Sequence, residues 1–218
     1  MSKKGFTLAE ILITLTVIGV VAALTIPSLL QKTNDAEFKA AWKKDFADLN
    51  QAFLLVRQDE DVSQYFTCTA YYCTYPLIPK IIAKYPSNVL KESSWGNIYN
   101  FVTYKSITGV PFAGAVLHAA YQMVNGTTLY YWTFNAGQAS LWIDVNGYQK
   151  GPNILGKDLF AVYLANDKIL PYGADNTGIR VNSCDGVASS FPYSVQTAGT
   201  PGTGTYAGIG CSARYLYE

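Results

Sequence analysis

The sequence predicts an α+β protein in which one long N-terminal helix packs by its second half on a small antiparallel β-sheet. An uninterrupted apolar run at residues 6–30 leads into an amphipathic segment at residues 31–57, whose apolar side chains recur at steps of three and four. Further on, an Asn-Gly pair at residues 125–126 separates two β-prone runs, which is the strongest short signal for a hairpin. A tail rich in Gly, Ser, Thr and Pro at residues 182–210 predicts an irregular C-terminal loop stapled by a disulfide.

The apolar run is long enough to cross a membrane. Its 25 residues would form a helix of roughly 38 Å, and the hydrocarbon core of a bilayer is ~30 Å thick. Lys3 and Lys4 precede the run, which by the positive-inside rule places the N-terminus in the cytoplasm and the rest of the chain outside. Glu10 is its only charge, and an ionisable group inside a membrane is costly and usually functional. A secretory signal would have a shorter apolar stretch, and a plain anchor would leave Glu10 unexplained.

The N-terminus resembles that of type IV pilins and type II secretion pseudopilins. The resemblance rests on KKG, then FTLAE, then a long apolar run that contains Pro27. It implies a leader peptide, residues 1–5, which a prepilin peptidase removes by cutting between Gly5 and Phe6. It also implies N-methylation of Phe6 and a role for Glu10 in guiding assembly. The resemblance covers only the leader and the apolar run.

The resemblance implies a structural subunit of a type IV pilus-like or type II secretion-like filament. Its parts would be the leader, a membrane and polymerisation helix at residues 6–30, an amphipathic continuation at residues 31–57 and an extracytoplasmic head at residues 58–218. Its partners would be other pilins, met through the N-terminal helices, the prepilin peptidase, the assembly machinery and the membrane. It would be a single-pass inner or cytoplasmic membrane protein before assembly, and part of a surface or periplasmic filament afterwards. The alternative is a membrane-anchored extracytoplasmic binding module that never polymerises.

Composition and isolated motifs give no support to nucleic-acid binding or to catalysis. The formal net charge is +1, and loss of Lys3 and Lys4 would leave 14 cations against 15 anions, with no basic cluster outside the helix. The only histidine, His118, lies in a predicted strand with no nucleophile motif nearby. Residues 151–158, GPNILGKD, match the start of a phosphate-binding loop, but Asp158 stands where that loop needs Ser or Thr. We therefore expect no enzyme.

The head should contain a short helix and an antiparallel meander. Residues 59–105 mix prolines with short apolar pieces such as LIPKIIAKY, and predict loop plus a short helix. From residue 114, three β-prone runs separated by the Asn-Gly pair and by AGQ predict at least three antiparallel strands.

The cysteines predict two disulfides, because their number is even and the head is expected outside the cytoplasm. Four cysteines allow three connectivities, and sequence proximity favours Cys68 with Cys73 and Cys184 with Cys211. A zinc site built from all four thiolates is the alternative. The CxxxxC spacing of the first pair and the wide separation of the second count against it.

Calcium is the only cofactor that the sequence suggests. The stretch WIDVNGYQKGPNILGKDLF places Asp144, Asn146 and Asp158 around glycine turns, and oxygen ligands of this kind suit calcium. The stretch is similar to a run in some pseudopilin-like sequences, and certain major pseudopilins bind calcium in the loop after their strands. Its spacing is not that of an EF-hand. The alternative is that these side chains cap turns.

Overall fold

The computed structural model describes residues 5–67, 74–94, 103–111, 119–135, 138–165, 168–174, 181–186 and 206–218. Within these ranges, the side chains of residues 94, 132–135, 138, 165 and 181–182 are left out of the description. The predicted bridge between Cys68 and Cys73 lies outside the described residues, as does His118.

One long helix, α1, runs from Leu8 to Asp59 and confirms the predicted N-terminal helix. It ends two residues beyond the expected Arg57, which lies in its last turn, where a cation interacts favourably with the helix dipole. The chain divides into two compact units, the first ending at Glu37 and the second covering Phe38–Glu218. Residues of α1 contribute to both units.

The first unit is an apolar helix whose large side chains are exposed. Phe6 is 84% exposed and Leu24 is 74% exposed, and large apolar side chains between them, such as Ile13 and Ile18, are also exposed. Among the described residues, α1 is the one helix that is long and apolar enough to cross a membrane, judged by length and composition. An apolar surface this continuous is unfavourable in water, so the unit requires an apolar environment.

The second unit is built around a six-stranded antiparallel sheet whose strands lie side by side in chain order. The strands are β1 (Val89–Ser94), β2 (Ala119–Met123), β3 (Thr128–Asn135), β4 (Gln138–Asp144), β5 (Leu159–Ala165) and β6 (Lys168–Pro171). Every neighbouring pair is antiparallel, which confirms the α+β fold and the meander.

The hairpin between β2 and β3 turns at the predicted Asn-Gly pair. Gln122 lies opposite Thr128, and the turn between them is closed by a hydrogen bond from the Gly126 N–H to the Met123 carbonyl at 3.0 Å. Gly126 has a φ of +96°, which glycine adopts without the steric cost that a side chain would bring.

The sheet buries side chains on both faces. One face packs against the second half of α1 and against helix α2 (Leu77–Lys84), with Trp42 and Leu49 fully buried between them. The other face carries a second cluster rich in aromatic residues, which includes Tyr104, Tyr130 and Trp142. Because both faces are covered, β5 reads as the continuous apolar run LFAVYLA.

The structure corrects one part of the prediction of loop plus a short helix for residues 59–105. The short helix is present as α2, but these residues also contain β1, which the sequence did not predict. The stretch VLKESS lacks the alternation of apolar and polar residues that marks a half-buried strand. In the structure, residues 89–93 are exposed or half-buried. Pairing with β2, rather than burial, defines this strand.

A disulfide between Cys184 and Cys211 is present as predicted, with 4.7 Å between the Cα atoms. It excludes a zinc site built from all four thiolates, because two of them are oxidised. Of the predicted irregular tail, a 3₁₀ turn at Val181–Asp185 is described, and residues 187–205 lie outside the description. A final helix, α3 (Cys211–Tyr217), follows the disulfide. Its first turn is anchored by Ser212, whose carbonyl accepts the Trp42 indole N–H at 2.9 Å.

Candidate functional site

The start of α1 holds Glu10 in a capping box with Thr7. The Thr7 carbonyl accepts the first helical hydrogen bond, from the Ile11 N–H at 3.2 Å. Its hydroxyl accepts the Glu10 N–H at 3.3 Å, and Glu10 Oε2 accepts the Thr7 N–H at 2.7 Å and the Thr7 hydroxyl at 2.8 Å. This reciprocal pairing satisfies N–H groups that have no partner within the helix.

The capping box holds the carboxylate beside the predicted processing site. Gly5 and Phe6 lie in non-helical backbone before α1, and Glu10 bonds the amide of the residue that directly follows Phe6. In a membrane, which offers a charge no hydrogen bonds, the box supplies two donors to the carboxylate. Thr7 was not among the predicted site residues, although T-x-x-E before an apolar run is the signature of a capping box.

The N-terminus of the chain matches a known protein-family motif. Residues 1–26 match a protein-family model described as the prokaryotic N-terminal methylation motif. The chain begins with a prepilin-type processing motif. This motif supports a type IV pilin-like or pseudopilin-like protein. It implies processing by a prepilin peptidase. The apolar helix to which it belongs fits a single-pass membrane anchor. No curated protein and no solved structure gave a significant match to the chain.

The residues predicted to bind calcium lie in the loop between β4 and β5. Asp144 ends β4 and Asp158 directly precedes β5, and both are fully buried. Asp144 Oδ1 accepts the N–H groups of Gly147 at 2.8 Å and Asn146 at 3.3 Å, and its Oδ2 accepts the Tyr104 hydroxyl at 2.7 Å. Asp144 therefore caps the first turn of the loop.

Asp158 caps the second half of the same loop. Its Oδ2 accepts the Asn153 N–H and its Oδ1 accepts the Ile154 N–H, both at 2.7 Å. These N–H groups belong to the GPNILGKD segment, and a phosphate-binding loop would direct its backbone N–H groups at its ligand. Here they bond to a carboxylate of their own loop, and strand β5 follows instead of a helix. The segment is a capped turn.

The loop holds two buried carboxylates and two buried amide oxygens that lack a donor. Burial raises the pKa of Asp144 to about 7 against the lowering effect of the Tyr104 hydrogen bond, and the negative charge of Asp158 raises it further. Burial also raises the pKa of Asp158, although the N–H groups that it accepts oppose the rise. The side-chain oxygens of Asn146 and Asn153 are buried without a hydrogen-bond partner. A cation would relieve this surplus.

The donor set fits calcium, which takes carboxylate and amide oxygens. Each carboxylate oxygen carries two lone pairs, so the observed caps leave room for coordination. Within the described ranges, no three His, Cys, Asp or Glu side chains are grouped where they could hold a metal ion. An ion at this loop would therefore depend on the asparagine oxygens. The turn caps are observed, and calcium binding stays a prediction.

Asp144, Asn146 and Asp158 were predicted from the sequence, whereas Tyr104 and Asn153 were not. Tyr104 lies 40 residues before its partner Asp144, so no local pattern connects the two. Asn153 has a φ of +56°, in the left-handed region where asparagine is tolerated better than most residues. Its place in a Gly-Pro-Asn turn was the available signal.

Proposed function

We propose that this chain is a filament subunit of the pilin or pseudopilin type, cleaved after Gly5, N-methylated at Phe6 and assembled through α1. The observation that carries the proposal is the prepilin-type motif at residues 1–26, continuous with a helix whose apolar side chains are exposed. A membrane can cover those side chains before assembly, and neighbouring helices can cover them in a filament.

Glu10 sets the register of the subunits in this proposal. Cleavage after Gly5 creates a cationic amine on Phe6, and methylation keeps that amine basic. An unpaired charge is costly in an apolar bundle, so the axial stagger that pairs the amine with Glu10, of a neighbour or of the same chain, is favoured. The capping box keeps the carboxylate close to the new N-terminus and leaves lone pairs for the amine.

The test is a filament assay in cells whose only copy of this subunit is Glu10→Gln or Glu10→Ala. We expect both variants to insert and to be largely processed, but to assemble poorly or not at all. Glu37→Gln makes the same change at an exposed position of α1 beyond the apolar run, and should assemble normally. Filaments of Glu10→Ala at wild-type abundance would refute the pairing role.

The alternative, an anchored binding module that never polymerises, makes a different forecast. An anchor needs neither the Gly5–Phe6 junction nor Glu10, so the Glu10 variants should then behave as wild type in every assay. Labelling cells with an antibody to the head distinguishes the two, because a module gives a diffuse envelope signal and a filament subunit gives fibres.

We also propose that the β4–β5 loop binds one calcium ion. The observation that favours it is the pair of buried, unpartnered oxygens of Asn146 and Asn153 beside two buried carboxylates. Asp144 and Asp158 would hold the ion together with these amides. The ion would neutralise part of the negative charge in the loop and rigidify it.

Calcium binding can be tested with the full-length protein in detergent. A ligand that binds only the folded state raises stability, so millimolar calcium should raise the melting temperature of the head, and Asp158→Asn should abolish the rise. Asp185→Asn is the matched control, because Asp185 is exposed and pairs with Arg214 outside the loop. If a chelator leaves the wild-type melting curve unchanged, turn capping is the only role of these carboxylates.

A further inference from the structure

Asp45, a buried carboxylate outside both sites, joins α1 to two other parts of the head. It is only 3% exposed. Its Oδ1 accepts the hydroxyl of Tyr85, directly after α2, at 3.0 Å, and its Oδ2 accepts the hydroxyl of Thr127, directly after the β2–β3 turn, at 3.1 Å. Three segments that are distant in sequence therefore meet at one carboxylate.

The surroundings of Asp45 supply hydroxyl donors but little positive charge. On α1, Lys44 Nζ lies 4.0 Å from Asp45 Oδ1, but its side chain is 65% exposed and lies 2.7 Å from Asp48, which adds a second negative charge. From the α2 segment, Tyr85 stays neutral because burial, and then the charge of Asp45, raises its pKa. From the β2–β3 turn, Thr127 carries no charge.

Burial is the largest influence on the acidity of this group and raises the pKa of Asp45. The hydrogen bonds from Tyr85 and Thr127 and the charge of Lys44 oppose the rise, and the charge of Asp48 adds to it. The folded protein therefore holds a proton on this carboxyl more tightly than the unfolded chain does.

An open groove of about 320 Å³ lies beside this junction. Its lining residues flank the three bonded residues along the chain: Lys44 and Asp48 on α1, residues 86–88 after Tyr85, and residues 124–125 before Thr127.

We propose that Asp45 is a proton-responsive tether that fastens the second half of α1 to the α2 segment and to the β2–β3 turn. When protonated, the carboxyl donates to one hydroxyl and accepts from the other, so both contacts persist with no buried charge. When the proton leaves, the hydrogen bonds from the two neutral donors become stronger, but they do not offset the cost of a buried anion, so the junction becomes less stable. This inference is independent of filament formation and of calcium.

The proposal fixes the sign of a pH effect. A carboxyl whose pKa is raised by folding contributes stability that is fully present below its unfolded pKa of about 3.9 and is lost as the pH rises through the folded pKa. The contribution of Asp45 to the stability of the head should therefore decrease as the pH rises above about 4.

The first test compares Asp45→Asn with wild type, as full-length protein in detergent, by thermal melting at fixed ionic strength from pH 4 to pH 8. Asparagine keeps the shape and both hydrogen-bonding positions but never acquires a charge. The melting temperature of the variant minus that of wild type should grow as the pH rises. Taking this difference cancels the titration of the other buried carboxyls. A difference that is constant or shrinks with pH overturns the proposal.

The second test uses Tyr85→Phe, which removes one donor and keeps the ring. Because the lost hydrogen bond matters most to the charged carboxylate, the variant should lose more melting temperature at pH 8 than at pH 4. An equal loss at both pH values would mean that Tyr85 acts by packing alone, and would count against the tether.

Discussion

The two halves of α1 carry comparable apolar side chains into opposite surroundings. In the first half Leu15 is 61% exposed, whereas in the second half Leu49 is 0% exposed and packs against the sheet. The first half depends on an apolar environment supplied from outside the subunit, and the second half depends on the core of the head. One helix thus combines a part that is long and apolar enough to cross a membrane with a part that packs in a globular domain.

The largest expected effect comes from making the same substitution in both halves. Leu49→Ala should lower the free energy of unfolding of the head by about 2–5 kcal/mol, because it opens a cavity in a closed core. Leu15→Ala should leave head unfolding unchanged. Denaturant unfolding of the full-length protein in detergent, followed by tryptophan fluorescence, measures both. Equal losses would break the distinction between the two halves.

Removal of the disulfide should affect the head almost as strongly. The double variant Cys184→Ser with Cys211→Ser releases a bridge that spans 27 positions, and should cost roughly 2–4 kcal/mol of head stability. Membrane insertion of the first half should be unaffected. The comparison is between denaturant midpoints and membrane-fraction yields, and a loss of insertion with an unchanged midpoint would contradict it.

Two glycines, one in the head and one in the first half of α1, should respond differently to replacement by alanine. Gly147 has a φ of +85°, and an added Cβ would lie 2.3 Å from the Gly126 carbonyl oxygen, so Gly147→Ala should cost at least ~1–3 kcal/mol. Gly19 lies inside the first half of α1 with open space around it, so Gly19→Ala should leave the subunit as stable or stabilise its helix by ~0.5–1 kcal/mol. Melting of the isolated subunits in detergent tests both, and tolerance of Gly147→Ala would refute the close approach.

The smallest expected effect on stability is confined to the first turn of α1. Thr7→Ala removes the N-cap of α1 and should cost about 1 kcal/mol at the helix start, while head melting stays at its wild-type value. Hydrogen exchange of the first-turn amides in micelles should become faster, with exchange in the sheet unchanged. Thr7→Ser keeps the capping hydroxyl and should restore protection. Unchanged first-turn exchange in Thr7→Ala would mean that the capping box contributes nothing there.

The predictable parts of the fold were those with a local cause. The period of apolar residues predicted α1, the Asn-Gly pair predicted the β2–β3 turn, and short apolar pieces such as LIPKIIAKY predicted a short helix, which is α2. Strand β1 was missed because residues 89–93 are exposed or half-buried and the strand is defined by its pairing with β2. No pattern within VLKESS records that partner.

Residues of the candidate sites were likewise predictable only where their signal is local in sequence. Gly5, Phe6 and Glu10 were recognisable because the prepilin-type motif is contiguous in sequence. Tyr104 beside Asp144, and Thr127 beside Asp45, were not recognisable, since these partners are 40 and 82 residues apart and meet only after the sheet forms. Burial of a carboxylate is likewise a property of the fold, because the surrounding residues that exclude water come from several segments.

The mass of the mature N-terminus tests the central proposal most directly. The protein should be purified from the membranes of cells that express it with an active prepilin peptidase, and its N-terminal peptide measured by mass spectrometry. Processing of the pilin type predicts a chain that starts at N-methylated Phe6 and lacks residues 1–5, while Gly5→Leu should keep the leader. A wild-type chain that still starts at Met1, or one cut at a different bond, would contradict it.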